Sequence, residues 1–396
     1  MDESFHPWQY SCVASGGKSN EVWSTRARLC WCRHESAAVM SKVEQSFAAV
    51  AQARTLGASF VSLTDSEAIS CLREHFGIVG AVARLPTEKD DTFRIDLPGG
   101  GRYLLKVANP FENESELAFE CELLQHVAAA DPQLPIPRLV PTIEGAVSFW
   151  VVDGTGKRRY ARLLTYLEGI PVDGIPGPLN KSERERIGAV LARLRLAMAR
   201  FHHPADGRVV AWDVQNFLSL GNLLDHVTDH SRRRRVTEAM DRFAVLAGRI
   251  SSLRRQVLHN DFNRSNIIVD RSRSEFVTGI IDFGDSVRTA IAIDAATALL
   301  NQLPRNVAEQ SSADLFSDGR DLLRGYLRTA DLSGEELALI PHLTMARCAT
   351  RALITTWRAQ LFPERAQNVL RYTESDWSHL EWLLARSAEQ LSATFL

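Results

Sequence analysis

Cysteine is scarce in this chain: six residues, at positions 12, 30, 32, 71, 121 and 348, are spread over 396. A disulfide scaffold needs dense, paired cysteines and is excluded on that ground. Cys30, Cys32 and His34 cluster, but no second ligand pair stands at zinc-site spacing. There is no apolar run near the ~18 residues of a membrane span, and no charged start leading into an apolar signal core. No membrane association and a cytoplasmic location follow as the default expectation. An excess of one charge is missing too, since 46 basic and 48 acidic side chains leave a net charge of −2. That gives neither nucleic acid nor an anionic membrane an electrostatic footprint. The one basic run, Arg232 to Arg235, reads as a solvated helix edge.

What is present is ordinary globular composition, 45% hydrophobic and 24% charged, in a chain long enough for one large bilobal unit. Residues 1–39 hold Trp8, Trp23, Trp31 and three cysteines without periodicity, and Met40, a candidate start, follows. Residues 1–63 are read as an N-terminal extension, poorly ordered at least to residue 39. From Thr64 the pattern becomes regular. Thr64 or Asp65 caps a helix to His75, and strands follow near 81–85, 92–97 and 103–108. The last two strands are joined by Pro98-Gly-Gly-Gly101, a hairpin turn. Leu117, Cys121, Leu124 and Ala128 mark an amphipathic helix over 114–129. Strands at 147–152 and 159–166 complete a lobe over 64–168. Gly169 and Pro171–Pro178 read as a hinge, and 169–396 is mainly helical: 181–202, 235–256, 292–302, 313–329, 334–361 in pieces, and 375–393. The predicted fold class is α+β, a bilobal protein-kinase-like fold with a nucleotide-binding N-lobe and a catalytic, acceptor-binding C-lobe.

The most informative segment is Val257–Asp270, which carries His259, Asp261 and Asn266 as H-x-D-x4-N before an apolar strand. Ile267–Asp270 and Phe276–Asp282 read as two strands of a hairpin about residue 274. That brings Asn266 beside Asp282, with opposed Cα atoms roughly 5 Å apart. An amide oxygen and a carboxylate then converge as a hard divalent cation requires. Asp261, in the preceding loop, can orient and deprotonate an attacking hydroxyl. Singly, each of the three has a bland reading as turn, loop or strand-end residue; together they point to chemistry. His259 reads as a brace that hydrogen-bonds backbone.

Phosphoryl transfer also needs a cation on the nucleotide phosphates. Lys106 is internal to a strand among apolar neighbours, where a lysine either snorkels outward or is paired at a site. Glu116 and Glu120 share a face of the following helix. Glu120 is the first choice to position Lys106, and Glu116 the second. The turn Pro86–Asp91 lacks G-x-G-x-x-G but is the candidate cover for the phosphates. Thr165 and Leu167, in Leu164-Thr-Tyr-Leu167, are expected to pass the adenine or guanine edge through main-chain groups.

Together these residues resemble the aminoglycoside phosphotransferase and choline kinase superfamily. That group shares H-x-D-x4-N and an Ile-Asp-Phe/Trp-Gly-like metal segment, here Ile281-Asp-Phe-Gly-Asp285. Within it, Leu258-His-Asn-Asp-Phe-Asn-Arg-Ser-Asn-Ile-Ile268 and Gly279-Ile-Ile-Asp-Phe-Gly-Asp285 are similar to hydroxylysine kinases and their bacterial relatives. Leu-Lys-Val-Ala-Asn-Pro (105–110), Leu-Pro-Ile-Pro-Arg (134–138), Arg-Leu-Leu-Thr-Tyr-Leu-Glu-Gly (162–169) and Leu-Phe-Pro-Glu (361–364) with Trp377 agree, so the similarity spans 64–393. The resemblance implies magnesium-dependent phosphorylation of a free small molecule, with GTP or ATP as donor. On it Asp261 is the catalytic aspartate, Asn266 and Asp282 the Mg2+ ligands, and Lys106 the phosphate-binding lysine. Relatives carry Asp-His where this chain has Arg264-Ser265, which alters the loop beside the acceptor.

The leading reading is a kinase for an amino-bearing alcohol, 5-hydroxylysine or a similar amino acid. Alternative acceptors are an aminoglycoside, homoserine, choline or ethanolamine. A non-catalytic pseudokinase is disfavoured because a regulatory module needs no base. A desolvated substrate ammonium needs an anionic partner. Asp294 reads as the N-cap of Ala295–Asn301, which leaves Asp285 as the residue expected to sense the acceptor.

Overall fold

The computed structural model describes residues 60–396 apart from 88–89, 306 and 308–313. The expected disorder of residues 1–39 lies outside the described residues. Residues 60–63, read above as the end of an extension, already belong to the N-lobe. Leu63 is buried, and its amide donates to Asp91 Oδ2 at 2.9 Å.

Thr64 starts α1 (Asp65–Phe76) through a reciprocal cap: its hydroxyl accepts the Glu67 amide, and the Glu67 carboxylate accepts the Thr64 amide. An antiparallel run of β1 (Ala81–Leu85), β2 (Asp91–Asp96) and β3 (Arg102–Val107) follows. Next come α2 (Glu114–Ala130), β4 (Leu139–Val140), β5 (Phe149–Val152) and β6 (Arg158–Thr165). The sheet order is β1-β2-β3-β6-β4, with β5 also on β6. Strand alternation sorts its two faces. Phe93, Ile95, Leu105, Val107, Ala161 and Leu163 pack on one face with Leu63 and Leu72. Thr92, Lys106 and Arg162 form one cross-strand row on the other.

The chain leaves this lobe through Gly169 and β7 (Ile170–Pro171), which pairs with the first strand of a hairpin described below. Gly169 has φ 138°, and a Cβ there would stand 2.7 Å from Thr278 Oγ1 and 2.8 Å from Val269 O. Only glycine crosses the hairpin that closely.

The C-lobe begins with α3 (Lys181–Met198), a 3-10 stretch over Val214–His226, α4 (His230–Ser251) and β8 (Arg255–Leu258). The hairpin of β9 (Ile267–Val269) and β10 (Val277–Ile280) follows, then β11 (Val287–Ala290), which pairs with β8. Among the described residues six α-helices complete it: α5 (Ile291–Leu300), α6 (Ser317–Leu327), α7 (Gly334–Leu361), α8 (Ala366–Val369), α9 (Thr373–Leu384) and α10 (Ala388–Ser392). The whole is α+β, a strand-rich small lobe joined to a mainly helical large one. No helix among the described residues is long and apolar enough to cross a membrane.

Three local expectations are corrected. α4 starts at His230, because Asp229 accepts the amides of Ser231 and Arg232. The basic run therefore sits in its first turns, where Arg232, Arg233 and Arg235 pair with Glu374, Asp225 and Glu381. α7 is one helix rather than pieces: Pro341 removes one backbone donor, but burial from Ala338 to Thr350 holds the helix through it. Asp294 is not an N-cap. α5 begins three residues earlier, and buried Asp294 accepts the Asn260 amide at 2.8 Å.

Candidate active site

The loop between β8 and β9 presents Asp261 to a cleft between the lobes. His259, fully buried, braces it: Nε2 lies 3.0 Å from Ile281 O and the ring stands against Phe283. Burial pushes the His259 pKa down to about 4, so the ring is neutral. Asn260 and Asp282 both take left-handed backbone, φ 62° and 64°, on either side of this brace. Such conformations are sparsely populated by non-glycine residues and persist where the surroundings fix them.

Asp261 is held by amides. Oδ2 accepts from Asn263 Nδ2 and Asn266 Nδ2, each at 2.9 Å, and Asn266 Nδ2 also reaches Asp261 O at 3.0 Å. Oδ1 faces Arg347 Nη2, from α7, at 3.2 Å. Burial pushes the Asp261 carboxyl up to about 7, with Asp285 and Asp282 adding to the rise and Arg347 opposing it. A carboxylate tuned towards neutrality suits a general base.

The β9–β10 hairpin pairs Ile267 with Ile280, and the Ile281 amide donates to Asn266 O at 2.9 Å. Asn266 thus stands beside Ile281, one residue from the predicted register, with Asp282 next in the chain. Both Asn266 and Asp282 line a cavity of about 580 Å³ together with Asp261, Asp285 and Lys106. The donors fit a hard divalent cation: because Asn266 spends Nδ2 on Asp261, its Oδ1 lies on the other side of the carboxamide, and Asp282 adds a carboxylate. No imidazole or thiolate belongs to this set. Gly284 keeps room for it, since a Cβ there would come within 3.3 Å of Asp282 Oδ1.

The opposite wall is the sheet row of the N-lobe, and here the expected pairing is corrected. Glu120 is held by Arg162 Nη2 at 2.7 Å, while Lys106 Nζ lies 3.8 Å from Asp90 Oδ2. Arg162 has no exposed surface, and a buried guanidinium has the stronger claim on a carboxylate than partly exposed Lys106. Glu116, the second choice, pairs with Arg208 at 3.0 Å. Arg208 Nε also donates to Ser286 O at 3.0 Å, which ties α2 to the segment after Asp282. Pro86, Thr87 and Asp90 of the candidate phosphate cover do line the cavity.

Thr165 and Leu167 do not line it. The Thr165 amide donates to Arg138 O and its hydroxyl accepts the Arg138 amide, both at 2.9 Å, so these groups serve the β4–β6 edge. Leu167 packs over Gly279, where a Cβ would meet it at 2.9 Å. Farther in, Cys348, Asp376 and His379 come within 4.8 Å of one another, a spacing open to a metal. Arg351 grips both Asp376 oxygens, and that cluster is an ion-paired floor.

A family model described as "Phosphotransferase enzyme family" matches residues 84–332, from β1 to just before α7. The chain belongs to this phosphotransferase family. Hydroxylysine kinase of Mus musculus is 25% identical over 347 residues, covering 81% of this chain and 89% of that protein. Homoserine kinase of Mesorhizobium japonicum is 27% identical over 256 residues, covering 64% and 73%. Among solved structures, an amicoumacin kinase in complex with AMP-PNP and Ca2+ has TM-score 0.60 at 15% identity, covering 80% of this chain and 93% of that one. It shares the fold.

As a phosphotransferase of this family, the protein is a small-molecule kinase acting on hydroxyl groups. Sequence reasoning missed Arg162, Arg208 and Arg347 in its site, and it placed Asp90 only within the phosphate cover, not opposite Lys106. Arg162 carried the same signal as Lys106, a cation inside an alternating strand. Arg347 carried none, because it reaches Asp261 across 86 residues of chain.

Proposed function

We propose that this kinase transfers the γ-phosphoryl group of GTP or ATP to the hydroxyl of an amino-bearing alcohol, 5-hydroxylysine or a closely similar hydroxy amino acid. The observation that carries the reading is Asp261, fixed by Asn263 and Asn266 and opening on the cavity that Lys106 lines from the other lobe. Asp261 accepts the proton of the attacking hydroxyl as the new O–P bond forms and the nucleoside diphosphate departs. Lys106 meets the donor phosphates, and Arg347 holds Asp261 in place. Asn266 and Asp282 would hold Mg2+, which neutralises phosphate charge when bound. Asp285 is the anionic partner of the substrate ammonium. The hydroxylysine and homoserine kinases among the relatives act on amino acids by name, which supports this acceptor class. We read the reaction as cytoplasmic, where nucleoside triphosphates are at hand.

The test is a coupled nucleotide-hydrolysis screen of the purified protein against hydroxylated amino acids, amino alcohols and aminoglycosides, with ATP and GTP in parallel. Hydroxy amino acids should give the highest turnover. A neutral sugar as the best acceptor would reject the amine reading.

A further inference from the structure

Two guanidinium groups share one carboxylate on the wall of this cavity. Arg264 Nε lies 3.3 Å and Arg305 Nη2 2.9 Å from the same oxygen, Asp173 Oδ1. Tyr372 donates its hydroxyl to Asp173 Oδ2 at 3.0 Å, and the Arg305 guanidinium lies 4.7 Å over the Tyr372 ring. All four residues line the cavity that holds Asp261 and Asp282. Arg347 and Arg351, also in its wall, have carboxylates of their own in Asp261 and Asp376. Among the described residues, the cluster of Arg264, Arg305 and Asp173 therefore carries one positive charge in excess. Its side chains are partly withdrawn from water, Asp173 to 17% and Arg264 to 26% exposure. A further anion would relieve that imbalance. Arg264 is three residues from Asp261, so their Cα atoms are at most roughly 11 Å apart, within the compass of one small acceptor.

We propose that Arg264 and Arg305 form the receptor for a carboxylate on the acceptor, so that a hydroxy acid binds with its hydroxyl at Asp261 and its carboxylate at this pair. The assignment rests on the kinase reading above and adds to it the group that these two residues select. Planar guanidinium groups recognise carboxylates through paired, charge-assisted hydrogen bonds. The cavity is then polarised, with carboxylates at the reacting end and unbalanced guanidinium charge at the other.

The experiment compares the intact protein with Arg264→Gln and Arg305→Gln on acceptors that differ only in the carboxylate: 5-hydroxylysine, homoserine and 4-hydroxybutyrate, each against its carboxamide, with ethanolamine and choline alongside. The unsubstituted protein should favour the acids at least tenfold in kcat/KM. Each substitution should raise KM for the acids roughly ten- to a hundredfold, and leave the carboxamides and the nucleotide within about twofold. Arg305 is half exposed, so Arg305→Gln carries the test if Arg264→Gln fails to fold. Turnover of 4-hydroxybutyrate as fast as that of homoserine, with this arginine dependence, would reject the amine reading and uphold the carboxylate receptor. Preference for ethanolamine or choline, equal losses on acid and amide, or no turnover of any acid would overturn the receptor. So would a rise confined to nucleotide KM, which would assign the pair to donor phosphates.

Discussion

Arg162 stands directly opposite Lys106 in the β3–β6 pairing, and it is Arg162 that holds Glu120, at 2.7 Å. Its Nε and Nη1 find no hydrogen-bond acceptor among the described residues, so the carboxylate of Glu120 is what makes a fully buried cation tolerable. Removing one partner of a buried pair is far more damaging than the pair is stabilising. Glu120→Gln should therefore lower unfolding free energy by about 3 kcal/mol. Lys106→Met, at a partly exposed site, should change stability by less than about 1 kcal/mol while raising nucleotide KM at least tenfold. Urea unfolding and steady-state kinetics on the two variants separate the roles. Equal stability losses would show that Lys106 is structural as well.

Asp91 predicts an acid limit to N-lobe stability. Burial alone would raise its pKa, but the Leu63 amide, Arg159 and Arg84 outweigh that and hold the carboxyl below its ordinary value. Arg159 Nη1 lies 2.7 Å from Asp91 Oδ2. A depressed folded pKa contributes stability that is fully present above the unfolded value of about 3.9 and lost as pH falls through the folded one. The unfolding midpoint in urea should fall as the pH drops below about 4, and Asp91→Asn should flatten that fall at the expense of stability at pH 7. An unchanged slope in the variant would assign the acid response to other carboxylates.

Asp285 shares the cavity with Asp261 and Asp282. As the partner of a substrate ammonium, its neutralisation should be felt by the acceptor alone. Asp285→Asn is expected to raise KM for 5-hydroxylysine about tenfold and nucleotide KM by less than twofold. Parallel rises in both constants would place its role at the nucleotide end.

Asp282 tests the divalent-ion assignment. Asp282→Ala should lower kcat by about two to three orders of magnitude at any Mg2+ concentration, since the ion loses an anionic ligand. Titration of turnover with Mg2+ should show the affinity weakened as well. Recovery of full turnover at high Mg2+ would reduce Asp282 to a minor ligand.

The N-lobe was legible because its signals are local. The short strand signal at 81–85 and the glycines of 99–101 gave β1 and the β2–β3 hairpin within a residue, and Thr64, one of two cap candidates, is the residue that starts α1. Asp261, Asn266 and Asp282 could be found together because one short hairpin brings them to the same cavity. What escaped depends on distance in sequence. The partner of Lys106 was decided by Arg162 on another strand, and Arg347 reaches Asp261 from a helix read only as several pieces. Asp294 looked like a cap because its burial against Asn260 is a tertiary fact that no neighbouring residue reveals.

On the proposed mechanism, Asp261 takes the proton of the acceptor hydroxyl at a centre completed by Asn266 and Asp282. Asp261→Asn keeps the shape of the side chain while removing the base. With GTP or ATP and a hydroxy amino acid, kcat for this variant should fall by about three orders of magnitude, with nucleotide affinity by calorimetry within twofold of the unsubstituted protein. Retention of more than a tenth of the original kcat would show that Asp261 is not the base.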